Sequence, residues 1–106
     1  MKPGMMVVFA ERARQDIRGI YDSIVNHDRA AAQRVENAIR AECERLGLFP
    51  FASVATDEPN VRRVPLVRYK HTIYCRVNED RGIVEIVRVI HAARIENLDE
   101  VPGNDK

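Results

Sequence analysis

The chain has no apolar run that approaches the length needed to cross a bilayer, and its N-terminus lacks the apolar stretch of a signal peptide. Membrane insertion and secretion are therefore not expected, and a cytoplasmic protein is. Cysteine is scarce, with Cys43 and Cys75 alone among 106 residues. Neither sits in a CxxC or Cys/His pair with metal-ligand spacing, so no metal site and no cofactor are expected. Cys43 falls on the apolar side of a helical pattern and Cys75 inside a strand pattern, so both read as small buried hydrophobes in a reducing setting. Repeats and low-complexity segments are absent as well. Net charge is nearly absent too, at +1.

What is present is enough for one domain with a single core: 106 residues, 45% of them hydrophobic. The near-zero total hides a segregation of charge. Residues 61–94 carry eight basic side chains (Arg62, Arg63, Arg68, Lys70, Arg76, Arg81, Arg88 and Arg94) against the acids Glu79, Asp80 and Glu85, a net charge of +5. Residues 1–60 are at −1, and residues 95–106 at −3 through Glu96, Asp99, Glu100 and Asp105 against Lys106. Of the 17 basic residues only Lys2, Lys70 and Lys106 are lysines. Arginine suits bidentate contacts to phosphate or carboxylate, so the basic block invites an anionic partner. The acidic tail either folds over that block or stays solvated as an ordinary polar terminus.

Hydrophobic periodicity gives the order of elements. Residues 5–9 form a short apolar run and read as a strand after a leader at 1–4, with Met5 or Met6 a conceivable natural start. Residues 10–25 carry a helical stripe of Ala13, Ile17, Ile20, Tyr21 and Ile24. The rest of that helix, including Arg12, Arg14, Asp16, Arg18 and Asp22, reads as a solvated face with local pairing. Asp28 is the expected N-cap of a second helix over 29–46, with the stripe Ala32, Val35, Ile39, Cys43 and Leu46. Gly47 stands where a C-terminal capping glycine belongs. Residues 48–60, with Pro50 and Pro59, read as a connecting loop. Strands follow at 61–65, 67–77 and 83–91, the last two joined by turn chemistry at 78–82. A short helix around 95–100 precedes the tail. The expected fold is α+β: an N-terminal strand, a helical hairpin, then a three-stranded antiparallel meander, with the helices on one face of the sheet.

Strict alternation along 67–77 puts Arg68, Lys70, Thr72, Tyr74 and Arg76 on one side and Tyr69, His71, Ile73, Cys75 and Val77 on the core side. Arg63, Arg68, Lys70, Tyr74, Arg76 and Arg88 are thus the candidate docking residues for an acidic partner or anionic target, unless the face is merely solvated. Arg88 interrupts an apolar strand and needs a carboxylate or solvent, since burying it alone is too costly. Glu85, three residues away on the same strand, lies on the opposite face. His91 ends its strand three residues before Arg94. It is either a strand-end or partner-contacting residue, or an acid–base group. His27 reads as a loop residue and His71 as an exposed or half-packed strand residue.

Taken in order, these segments resemble the RelE/ParE superfamily of toxins from bacterial type II toxin–antitoxin modules, and most closely its ParE-like branch. The carrying residues are Phe9, Ala13, Asp16 and Ile17 (F-x-x-x-A-x-x-D-I), Pro50, then Arg62 to Pro65 (R-x-x-P), Arg68 to Val77 (R-Y-x-x-x-I-x-x-R-V) and Val87 to Arg94 (V-x-x-x-H-x-A-R). The similarity spans residues 5–95 as a single toxin domain. It implies a toxin neutralised by a cognate antitoxin that lays an acidic helical segment over it. The antitoxin is expected to carry a ribbon-helix-helix DNA-binding part, so that operator DNA is reached only through it. For the ParE-like branch the implied target is DNA gyrase, with no enzymatic activity. The alternative is RelE-like, metal-independent cleavage of mRNA on the ribosome, in which His91 and Arg94 would be catalytic. A second alternative is a non-toxic, antitoxin-binding module. The sequence departs from the nuclease pattern: Thr72 stands where RelE-like proteins tend to carry arginine, Lys70 is the sole lysine of the block, and no Tyr or Lys follows Arg94 before Lys106.

Overall fold

The structure is a computed structural model of the whole chain and is described for residues 4–91. The N-terminal strand β1 spans Met6–Phe9, helix α1 Glu11–Val25 and helix α2 Arg29–Leu48. Four further strands follow: β2 Val54–Ala55, β3 Arg62–Pro65, β4 His71–Asn78 and β5 Ile83–His91. The order of strand, two helices and strands is the one the periodicity predicts. Among the described residues no helix is long and apolar enough to cross a membrane.

Both helices form for the reasons their stripes suggest. Ala13 and Ile17 of α1 are buried, with Ile20 and Ile24 packed against the same core. In α2 the whole predicted stripe of Ala32, Val35, Ile39, Cys43 and Leu46 is buried. Each such large side chain contributes about 1.5–3 kcal/mol relative to exposure. The joint between the helices is short because Asp28 caps α2, its side chain accepting from the Ala31 N–H at 3.0 Å. Gly47 differs from expectation. It lies inside the last turn of α2, and the chain leaves the helix at Phe49. Its role is close approach. A Cβ there would meet Val7 Cγ2 at 2.8 Å and the Met5 carbonyl oxygen at 2.9 Å, so the missing side chain lets β1 lie against α2. The Met5 N–H donates to the Gly47 carbonyl at 2.7 Å and pins that approach.

The sheet is larger and more mixed than a three-stranded meander. Its order is β1-β5-β4-β3-β2, with antiparallel pairs throughout except β1, which runs parallel to β5. The helical hairpin is what permits that parallel pair, since a parallel neighbour needs a long crossover. The extra strand β2 lies within the predicted loop, where a two-residue ladder pairs Val54 and Ala55 with Arg63 and Arg62. Two-residue strands carry too little pattern to be recognised from periodicity. The turn between β4 and β5 forms as expected, with the Arg81 N–H on Asn78 Oδ1 at 3.1 Å and Gly82 at φ +65°.

Strand β4 starts four residues later than the alternation suggests. Residues 67–70 are a bend at the tip of the β3–β4 connection, and Val67 is fully exposed there. The rest of the alternation holds: Ile73 and Cys75 are buried in the main core under the helices, with Tyr69 and Val77 packed against it.

Both thiols lie in that core. Burial pushes Cys43 up to about 12, reinforced by Cys75, and burial pushes Cys75 up to about 11 against the opposing pull of Arg62. A thiol is attacked through its thiolate, so neither cysteine of the folded protein should be alkylated by iodoacetamide at pH 8. Both should react at the ordinary rate in urea, as intact-mass spectra would show. Ionising in the unfolded chain near 9 but not in the folded one, the two thiols also make stability fall as pH rises through the interval from about 9 to 11.

Candidate functional site

The site grows from one irregularity in the β4–β5 ladder. Tyr74 opposes Arg88, but the next residue, Cys75, opposes Ile86, so Val87 is an extra residue in β5. Such a bulge re-aims the side chains beside it. Ile86 and Val89, three residues apart, both enter the core beneath the helices, and Arg88 between them reaches toward α1. There Arg88 Nε donates to Asp16 Oδ2 at 2.7 Å and Nη2 to Asp16 Oδ1 at 3.1 Å. The Val89 N–H donates to Asp16 Oδ2 at 2.8 Å. One carboxylate thus holds a guanidinium by two prongs and satisfies a backbone donor of the bulged strand. The Arg88 side chain is 6% exposed and that of Asp16 15%.

This arrangement differs from two sequence expectations. Arg88 does not stand on an open sheet face; it is buried and paired with Asp16. Asp16 does not belong to the solvated face of α1. Its position three residues after Ala13, on the edge of the buried stripe, was the available signal. The expectation that Arg88 needs a carboxylate and that Glu85 is not the one is met: Glu85 Oε1 accepts from Arg76 Nη2 at 2.9 Å, an inter-strand pair across the β4–β5 register.

Beside the ion pair, β4 and β5 end on His71 and His91, which are directly paired in the ladder. Their rings meet edge to face with centroids 5.3 Å apart. The two histidines, Arg88, Asp16, Gly19 and Ser23 border a cleft of about 360 Å³ between the sheet end and α1. His71 is half-buried and its Nδ1 has no hydrogen-bond partner among the described residues. Burial, and secondly the neighbouring His91, lower its pKa below the usual histidine value of 6.5. His91 is exposed at the rim. Arg94 lies outside the described residues, as do the short helix expected near 95–100 and the acidic tail.

The sign of the His71 effect is definite. With a depressed folded-state pKa, the unfolded chain takes up a proton as pH falls below about 6.5 while the folded chain resists it, so stability is lost as pH falls from there through the folded value. The urea midpoint should therefore drop between pH 7 and pH 5, and His71→Gln should flatten that drop.

The remaining predicted docking residues do not form one continuous basic face. Arg68 and Lys70 are exposed, but on the 67–70 bend rather than on the sheet. Arg76 is partly buried and tied to Glu85. Arg63 is partly buried and opposes Tyr74 in the β3–β4 register. Tyr74 is 0% exposed, so it offers no surface for a partner; burial raises its pKa, against a lowering by Arg63. Thr72 is also buried. Arg62 donates to Ser53 Oγ at 2.8 Å and the Ser53 carbonyl at 2.7 Å, and lies over the Phe51 ring. It fastens the loop that carries β2. The alternation did place Tyr74 opposite the core strip, but alternation reports a side, not whether that side is open. Among the described residues no group of three or more His, Cys, Asp or Glu side chains is placed to hold a metal ion.

The architecture matches solved toxins. The chromosomal ParDE toxin–antitoxin system of P. aeruginosa aligns over 82% of this chain and 95% of its own, with 21% identity and a TM-score of 0.72. A doubly substituted E. coli RelE toxin in the free state aligns over 93% and 95%, with 15% identity and a TM-score of 0.69. The RelBE2 toxin–antitoxin complex of Mycobacterium tuberculosis aligns over 83% and 98%, with 17% identity and a TM-score of 0.62. At these identities the likeness is one of fold. No curated protein matches the sequence significantly. The family described as the ParE toxin of the type II toxin–antitoxin system parDE matches residues 7–96. That match takes in every strand and helix described above except the first residue of β1, and the chain accordingly belongs to the ParE toxin family of type II toxin–antitoxin systems.

Proposed function

We propose that this toxin arrests growth by binding DNA gyrase rather than by cutting RNA, and that a cognate acidic antitoxin neutralises it in the cytoplasm. The observation that carries the reading is the state of the basic residues on the sheet. Arg88 is closed into an ion pair with Asp16, Arg76 is paired with Glu85, and Tyr74 and Thr72 are buried. Metal-independent cleavage of RNA needs the opposite: cationic and proton-transferring groups set out around one phosphate to activate the 2′-OH and stabilise a pentavalent phosphorus. Exposed cations on the 67–70 bend, Arg68 and Lys70, suit attachment to an acidic antitoxin segment or to the target. The solved relatives from P. aeruginosa and M. tuberculosis come from toxin–antitoxin systems, which supports an antitoxin as partner here.

One observation favours the ribonuclease reading. His91 is exposed at the rim of the cleft and stacks edge to face on His71. In that reading His91 moves the 2′-OH proton and Arg94 steadies the phosphate.

Induction in a gyrase-sensitive bacterium separates the two. Growth should stop, plasmid supercoiling by purified gyrase should be inhibited by the purified toxin, and mapped mRNA ends should be unchanged. New mRNA ends within minutes of induction, abolished by His91→Ala, would instead establish the ribonuclease. Full growth at good soluble yield, with tight antitoxin binding, would leave an antitoxin-binding module.

A further inference from the structure

His71 and His91 stand directly opposite each other where β4 begins and β5 finishes. They are 20 positions apart in sequence, a spacing that no local ligand motif covers. The antiparallel register brings the two imidazoles together, with ring centroids 5.3 Å apart and planes at 82°. That separation is the one a shared metal ion requires. With a metal–nitrogen bond of about 2.0–2.1 Å and about 1.2 Å from nitrogen to ring centre, two imidazoles on one tetrahedral ion have centroids roughly 5.2 Å apart. His71 can turn to meet such an ion. Its Nδ1 is buried and has no hydrogen-bond partner among the described residues, so no bond from that atom fixes the ring about χ2, a broad torsion in histidine. A turn of one ring thus converts the edge-to-face contact into a chelate.

We propose that His71 and His91 form a two-histidine site for a borderline divalent transition-metal ion, Zn²⁺ or Ni²⁺. His91 is exposed at the rim of the cleft, where an ion arrives from water. A ligating imidazole uses one nitrogen and commonly gives the other to a neighbour, so a further contact of His91 is compatible with the site. The surroundings accept a cation. Arg88 borders the same cleft, but Asp16 pairs with it. Gln15 and Ser23 line the cleft with oxygen atoms, and water fills the positions that two protein ligands leave open. Burial, and secondly His91, lower the pKa of His71, so its ring is neutral at pH 7 and competes little with protons for the metal. Hard cations such as Mg²⁺, which take oxygen ligands, do not suit the pair. Bound there, the ion ties the end of β5 to the start of β4. The inference is independent of whether gyrase or mRNA is the target.

Isothermal titration of the untagged full chain with Zn²⁺ and with Ni²⁺ tests it, with Mg²⁺ as the comparison. Each transition-metal ion should bind at one site per chain, and Mg²⁺ should not bind. His71→Gln and His91→Gln should each weaken binding about a hundredfold, the loss expected when a chelate falls back to a single ligand. His27→Gln alters the third histidine, exposed in the joint between the helices, and should leave the affinity unchanged. No binding by the unaltered protein overturns the proposal. So does binding that survives either His71→Gln or His91→Gln, or that is lost in His27→Gln. Should the two site variants fail to fold, the unaltered protein still decides. Paramagnetic Ni²⁺ should broaden the imidazole NMR signals of His71 and His91 together, and broadening of His27 alone, or of neither partner, refutes the site.

Discussion

Asp16→Ala should cost about 3–5 kcal/mol of unfolding free energy, read from urea denaturation. A domain of this size has roughly 5–15 kcal/mol in total, so the variant should be barely folded at 37 °C. The size of the effect follows from what Asp16 holds. Its removal takes away the carboxylate that holds the buried Arg88 guanidinium through Nε and Nη2 and strips the Val89 N–H of its acceptor. Both groups lie between α1 and the bulged stretch of β5, where the Arg88 side chain is only 6% exposed. Asp16→Asn should be only partly better, because an amide retains one acceptor oxygen but no charge. The informative companion is Asp16→Leu with Arg88→Met. If the penalty is that of breaking a buried ion pair, the double variant should recover most of the loss, as paired apolar replacements of buried ion pairs often do. An equal loss in the double variant would show that the pair is needed to hold the bulge itself. Toxicity measured for the double variant then reports whether the ion pair also orients the His71–His91 end of the sheet.

Ile73→Ala should cost about 2–5 kcal/mol, the range for a buried aliphatic truncation whose cavity cannot collapse. Ile73 is completely buried, opposes Val89 across β4–β5 and Val64 across β3–β4, and faces the helices. It is thus held from three directions, and the void left by its side chain has rigid walls. Val67→Ala, six residues earlier in the same predicted strand, is the control. Val67 is fully exposed on the bend, and its change should stay within about 0.5 kcal/mol. Equal costs at the two positions would mean that the strand extends to 67 in solution and that the bend is not the ground state.

Those two positions also show how far the sequence is legible. From periodicity alone, Ile73 and Val67 belong to one strand on one side. The side is right for Ile73, but periodicity does not see where pairing stops, and the Leu66 N–H bonding to the His71 carbonyl at 3.0 Å closes the connection early. The helices were read almost to the residue, because a stripe of five apolar positions over-determines a face, and Asp28 marks the start of α2 by its own chemistry. The parallel placement of β1 on β5 carries no local signature; it depends on where the hairpin returns the chain. The candidate site suffered most. Arg88 announced its need for a carboxylate, yet its partner lies 72 positions away, and the bulge that joins them is a mismatch of one residue between two strands. The basic block is less continuous than its charge suggests for a related reason: charge counts do not say which arginines are already paired, as Arg76 and Arg88 are.

The parallel pairing of β1 with β5 also sets the order in which the molecule can come into being. Met6 meets Ile83 and Phe9 meets Ile86, so the first strand has no ladder until the last has been made. The helical hairpin can form from local contacts alone, while the sheet waits on closure of a loop that includes nearly everything between. On the ribosome, β5 is made after every other described strand. Until then Asp16 has no Arg88, and β4 lacks its longest neighbour. A chain stopped short of β5 therefore has its helical hairpin without the strand that completes the sheet, and the toxin exists as such only once β5 is in place.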